Sequence, residues 1–86
     1  MSLEYSPLRD RLIELGVRRS QFAKNCGVSR ACISQILAGK QSISERVQIG
    51  LVKLGMSTDQ VKRLCAEHEE WRRLYRREVE EKMVAA

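Results

Sequence analysis

The sequence predicts an all-α fold of five helices, and three observations carry that expectation. Leu, Ile, Val, Arg and Glu recur three and four positions apart, the spacing that gathers side chains on one helix face, and no period-2 run of useful length competes. The single Pro stands at position 7, where a helix can begin, and Gly16, Gly27, Gly39 and Gly55 each follow a run that they can end. With 86 residues, 43% of them hydrophobic, there is room for one modest core and for no second independent domain.

Ser6-Pro7 reads as an N-cap followed by Pro at the first helical position, and Leu8, Leu12 and Leu15 then share a face, so the first helix spans residues 7–15. Residues 19–26 form the second, with Phe22, Ala23 and Cys26 as a narrow inner stripe and Gln21, Lys24 and Asn25 outside. After the tight connection Gly27-Val28-Ser29, Ser29 can cap a third helix over residues 30–38. Two short helices joined through such a turn make a helix-turn-helix pattern. Ser44 can cap a fourth helix over residues 45–54, whose Val47, Leu51 and Leu54 face inward. Ser57 and Gln60 have the spacing of a capping box and open a fifth helix that meets no Gly or Pro before about residue 82. The resulting division is residues 1–64 as the domain and residues 65–86 as a helical extension.

The third helix is unusual. Its apolar side consists of Ile33, Ile36 and Leu37, while Arg30, Ala31, Ser34 and Gln35 occupy an edge that packing alone does not need. The formal charge of +5 suits a polyanionic partner, and its distribution sharpens the point. Through Ser57 there are nine Lys/Arg against four Asp/Glu, whereas from Thr58 onward there are seven of each. The anion-binding surface is therefore expected in the first two thirds.

Other chemistries find little support. Cys26-x5-Cys32 and Cys65-x2-His68 lack partner pairs at zinc-site spacing, so no metal or other cofactor is expected. Cys26 falls on an apolar stripe; Cys32 reads as a small filler near the outer side of helix 3, with a redox-sensitive contact as the sharper alternative. His68 has no second base or nucleophile at a convincing spacing, so no enzyme activity and no small-molecule ligand are expected. Three free cysteines suit a reducing compartment, and neither a signal-peptide core nor a run of 18 apolar residues is present; the expectation is a cytoplasmic protein with no membrane partner.

The segment "LGVRRSQFAKNCGVSRACISQILAGK" resembles the lambda-repressor-like helix-turn-helix family of phage repressors, Cro-type proteins and small bacterial regulators. The resemblance is carried by Leu15-Gly16-Val17, the small Ala23, the turn Gly27, the apolar Ile33 and the closing Gly39-Lys40, followed by a helix ending in Leu54-Gly55. It extends from Leu12 to Leu64, and the combined spacing is its specific part. It implies five helices around a small core, with the third lying in the DNA major groove. Arg30, Ala31, Ser34 and Gln35 would then reach base edges: Arg donates twice to guanine O6 and N7, Gln reads adenine N6 and N7, and Ala touches a thymine methyl. Arg18, Arg19, Ser20, Ser29, Lys40 and Arg46 stand where the family touches phosphate. One departure is clear. Where the family has a Ser, Thr or Asn cap followed by Gln, this chain has Arg18-Arg19, a change that weakens the helix end by ~1 kcal/mol while adding charge for phosphate.

What the resemblance implies is a sequence-specific duplex-DNA-binding transcriptional regulator, a repressor of phage, mobile-element or bacterial origin, found with the nucleoid when bound. An accessory factor for recombination, excision or transposition, and a protein-interaction adaptor such as an antitoxin, are the alternatives. On the last helix Val61, Leu64, Cys65, His68, Trp71, Tyr75 and Val79 follow 3-4 spacing, with Glu69 and Arg73 one turn apart. That stripe exceeds what so small a domain is expected to cover, so Leu64, His68, Trp71, Tyr75 and Val79 are expected to meet a partner, most simply a second copy in a homodimer; a tail folded on its own domain is the other reading. Arg72, Arg73, Arg76 and Arg77 are a lesser candidate for added DNA contacts, because acidic neighbours offset them.

Overall fold

A computed structural model describes residues 5–85, with side chains described through residue 80. The outer ends of the two expected segments, residues 1–4 and 86, lie outside the described residues. Five α-helices follow one another: α1 Pro7–Leu15, α2 Arg19–Cys26, α3 Arg30–Leu37, α4 Glu45–Lys53 and α5 Thr58–Ala85. Among the described residues there is no strand.

Local chemistry explains the boundaries. Ser6 Oγ accepts from Arg9 N at 3.1 Å, Ser29 Oγ from Cys32 N at 3.1 Å, and Ser44 Oγ from Val47 N at 3.4 Å. Ser57 and Gln60 close the reciprocal box, Gln60 N donating to Ser57 Oγ at 3.2 Å and Ser57 N to Gln60 Oε1 at 2.9 Å. Arg18 caps α2 without a side-chain hydrogen bond, as its type dictates. At the other ends, α3 and α4 stop one residue before the expected limits because Ala38 and Leu54 act as C-caps. Helix α5 runs three residues past its expected end, since no Gly or Pro stops it.

The core draws on every helix: Leu8 and Leu12 of α1, Phe22, Ala23 and Cys26 of α2, Ile33 and Ile36 of α3, Val47 and Leu51 of α4, and Val61 and Leu64 of α5. Each fully buried side chain of this kind contributes ~1.5–3 kcal/mol. Gly50 explains how α2 and α4 come so close. A Cβ there would collide with Cys26 Sγ, so a larger residue would push the two helices apart. With α4 braced on α2 and α5 packed on both α1 and α4, α3 packs into this frame through Ile33 and Ile36, chiefly against α2.

Helix α5 sets the long axis of the molecule: 28 residues at 1.5 Å per residue give about 42 Å, against a longest extent of 43 Å. Its apolar stripe corrects one expectation. Leu64 lies in the core, His68 is fully buried, and Trp71 is 3% exposed, all against this same chain. Tyr75 is half-buried and stacks on Trp71 at 5.2 Å, so of the five expected interface residues only Val79 is exposed. The covering element is the loop between α3 and α4. Gly39, at φ +80°, turns the chain there, and the Trp71 ring lies 3.1 Å from where a Cβ would stand. A residue with a side chain would strain the left-handed turn and force the Trp71 ring to give by a few tenths of an ångström.

Candidate nucleic-acid interface

Helix α3 presents two different faces. Ile33 and Ile36 are 1% and 0% exposed, and Cys32 and Leu37 are half-buried behind them. Arg30, Ala31, Ser34 and Gln35 are all exposed on the other side, which is the arrangement the spacing predicts. The Ser29 hydroxyl oxygen accepts the first-turn amide of Cys32, and its own proton is left to donate outward.

Arg30 joins α3 to the N-terminal end of α2. It lines one shallow hollow with Arg9, Arg18, Arg19 and Ser20, and an adjoining one with Ser20, Lys24 and Ser29. Among the described residues, no carboxylate lines either hollow. Among the described residues Arg18, Arg19 and Arg30 form no ion pair, while Arg9 lies over the Tyr5 ring at 3.7 Å. Cationic groups held together without counter-charge produce a positive potential that attracts anions over a Debye length of about 10 Å at 0.1 M salt. The uncapped first turn of α2 adds backbone N–H groups to the same end.

Three more residues of the expected set have surroundings that the spacing did not indicate. Lys40 is exposed in the α3–α4 loop. Arg46, though also exposed, donates to the Gly27 carbonyl at 3.2 Å and so ties α4 to the turn before α3. Gln35 Oε1 accepts from the Gln41 side-chain amide.

Helix α5 holds the α3–α4 loop through contacts that no spacing in the sequence indicates. Arg72 Nε donates to Gly39 O at 3.1 Å, and its terminal nitrogens reach Lys40 O at 3.2 Å and Ser42 Oγ at 3.0 Å. Glu69 pairs with Arg72 at 3.0 Å, three residues on, rather than with Arg73 at four. Hydrogen bonding from Ser42, aided by Arg72, holds the Glu69 carboxyl below the usual carboxylate range. His68 Nε2 donates to Gln41 O at 3.0 Å, while Nδ1 is, among the described residues, without a hydrogen-bond partner. Burial pushes the His68 pKa down, against the opposing pull of the Gln41 carbonyl and Glu69, so the imidazole is neutral at pH 7. Three consecutive carbonyls, Gly39 to Gln41, are thus held by α5. The available signal was small: Arg72 follows the buried Trp71 and lies one turn beyond His68.

Burial likewise raises the Cys26 and Cys65 thiols, which disfavours their thiolates. Among the described residues no group of three or more His, Cys, Asp and Glu is placed to hold a metal ion, and no helix is long and apolar enough to cross a membrane. Against known families, curated proteins and solved structures, the chain has no match. What the surface offers chemically is an array of outward N–H and O–H donors around one exposed helix edge.

Proposed function

We propose that the chain is a sequence-specific double-stranded-DNA-binding regulator built on a lambda-repressor-like helix-turn-helix, with α3 as its recognition helix. The observation that carries the reading is the exposed Arg30, Ala31, Ser34 and Gln35 edge, backed by Ile33 and Ile36 and flanked by a hollow of arginines that, among the described residues, no carboxylate lines. In this reading Arg30 donates to a guanine edge, Ala31 meets a thymine methyl, and Ser34 and Gln35 complete the base contacts. Arg18, Arg19, Ser20, Ser29 and Lys40 grip phosphate, joined by whatever N–H groups of Arg46 its bond to Gly27 leaves over. The protein represses by occupying an operator and excluding polymerase or a competing protein. It acts in the cytoplasm as a homodimer, because one small domain covers too little DNA for high specificity. With Leu64, His68 and Trp71 internal, the part of α5 left for self-association is the exposed Leu74 and Val79 beside Tyr75.

Selection of bound sequences from a random duplex pool tests this, combined with titration of the selected duplex at rising salt. The expected result is enrichment of paired half-sites and an affinity that falls steeply with salt. Recovery of random sequence with salt-independent binding, or no binding, defeats the reading.

A further inference from the structure

We propose that Gln41, a residue of the α3–α4 loop, is a positioning residue that orients the Gln35 side chain on the recognition helix and so sets which base edge Gln35 reads. The inference rests on the DNA-binding reading and names a specificity determinant within it.

The two ends of Gln41 do different things. Its backbone carbonyl accepts from His68 Nε2 at 3.0 Å, and the two carbonyls before it are taken by Arg72 at 3.1 and 3.2 Å. The backbone of residue 41 is therefore held by α5, which in turn packs on α1 and α4. Its side chain is exposed and reaches back six residues, donating through Nε2 to Gln35 Oε1. A long, exposed Gln normally samples several rotamers, and ordering it on DNA is costly. Here an anchored loop favours one orientation beforehand.

The bond also has a direction. Because Gln41 donates to Gln35 Oε1, the Gln35 amino group keeps both its N–H donors, while its carbonyl oxygen has one lone pair occupied. Its outward character is that of a donor. In the major groove such a group suits acceptors: the N7 of either purine, guanine O6 or thymine O4. In water an exposed amide–amide bond is weak, but docking α3 in a groove excludes solvent from the pair and strengthens it. Gln41 then influences base choice without itself reaching a base.

The experiment compares wild type with Gln35→Ala, Gln41→Ala, Gln41→Glu and the Gln35→Ala/Gln41→Ala double variant by selection from the random duplex pool. Circular dichroism checks the fold, which exposed substitutions that keep the residue 41 carbonyl should preserve. Gln41→Ala is expected to narrow discrimination roughly five- to tenfold at one base position, the low end of what a base contact provides. That position is the same one Gln35→Ala affects, and the double variant loses no more than Gln35→Ala alone. The salt dependence stays as in wild type, whereas loss of a phosphate contact would lower its slope by about one. Gln41→Glu presents only acceptors, so Gln35 turns its amino group inward and its carbonyl outward. Preference at that position then shifts toward adenine N6 or cytosine N4 donors.

A wild-type motif left unchanged by Gln41→Ala overturns the proposal, as does a loss spread evenly over all sequences. If wild type itself selects no motif, the DNA-binding reading falls and this inference with it, so the two failures are distinguishable. In the free protein, Gln41→Ala should also shift the NMR signals of the Gln35 side-chain NH2; unaltered signals count against the pair.

Discussion

Arg72→Ala should cost far more than its place on a charged, exposed stretch of helix suggests. Its side chain is 18% exposed and makes three bonds to the loop: the half-buried one to Gly39 O, and two nearer solvent to Lys40 O and Ser42 Oγ. A charge-assisted bond to a half-buried carbonyl is worth ~1.5–2 kcal/mol. The other two contribute ~0.5 kcal/mol each, because water replaces the lost donor. The pair with the half-exposed Glu69 adds no more than a few tenths, being screened. The sum is ~2.5–3 kcal/mol. With an m-value of ~1 kcal/mol/M, suited to so small a chain, urea denaturation should show its midpoint lowered by about 2.5–3 M at unchanged slope. Arg73→Ala, one residue along and exposed, provides the control and should stay within ~0.5 kcal/mol of wild type. A loss under ~0.5 kcal/mol for Arg72→Ala, or equal losses for both, would refute the claim that this guanidinium fastens the loop.

Stability should depend on pH through His68. Its folded pKa lies below the ordinary 6.5, so the unfolded chain binds the proton first as pH falls. Its stabilisation is complete above 6.5 and declines as pH drops toward the folded value. Urea midpoints at pH 7.5 and 5.5 should therefore differ, the lower pH being less stable; this window lies above the range in which Glu69 titrates, since its pKa is lowered from 4.5. His68→Gln should abolish the difference, and equal midpoints in wild type would contradict the account. On DNA, Arg30→Ala should cost ~1–3 kcal/mol and relax preference at one base position. Arg19→Ala should instead weaken every sequence alike and reduce the salt slope by about one. Binding titrations on selected and scrambled duplexes separate the two, and a uniform loss for Arg30→Ala would reassign it to phosphate. Gly39→Ala should destabilise the fold by ~1–2 kcal/mol from its left-handed backbone alone, with further loss as Trp71 is displaced; a neutral effect on the urea midpoint would show that the contact is slack.

What the sequence discloses follows the range of the interactions involved. The starts of the helices rest on Ser6, Ser29, Ser44 and the Ser57–Gln60 box, each satisfied within three residues. Their ends rest on equally local Gly turns, so a reader of the string can place them within a residue or two. The exposed edge of α3 was readable for the same reason, since periodicity alone separates Ile33 and Ile36 from Arg30 and Gln35. The fate of the α5 stripe was not. Its partners lie 27 to 33 positions away, and an apolar row of Trp71 and Tyr75 looks the same whether a second copy or a distant loop covers it. What decides between them is the missing side chain of Gly39, which the string also spells as an ordinary helix stop. Arg46 illustrates the same limit, since its bond to Gly27 O spans 19 residues.

The position of the clamp gives it a consequence for recognition. A loop of six residues between Ala38 and Glu45 would, left free, let the end of α3 fray and let Lys40 sample many placements. Any partner would then bear the cost of ordering both on binding. With three carbonyls held by His68 and Arg72, that ordering is already part of the folded state. In the proposed DNA-binding reading, loss of the clamp should thus lower affinity through the loop, and should do so more for a specific duplex than for random DNA, because only specific contacts need a fixed geometry. If Arg72→Ala weakened both kinds of duplex equally while remaining folded, its role would be charge alone, and the link between α5 and α3 would be broken.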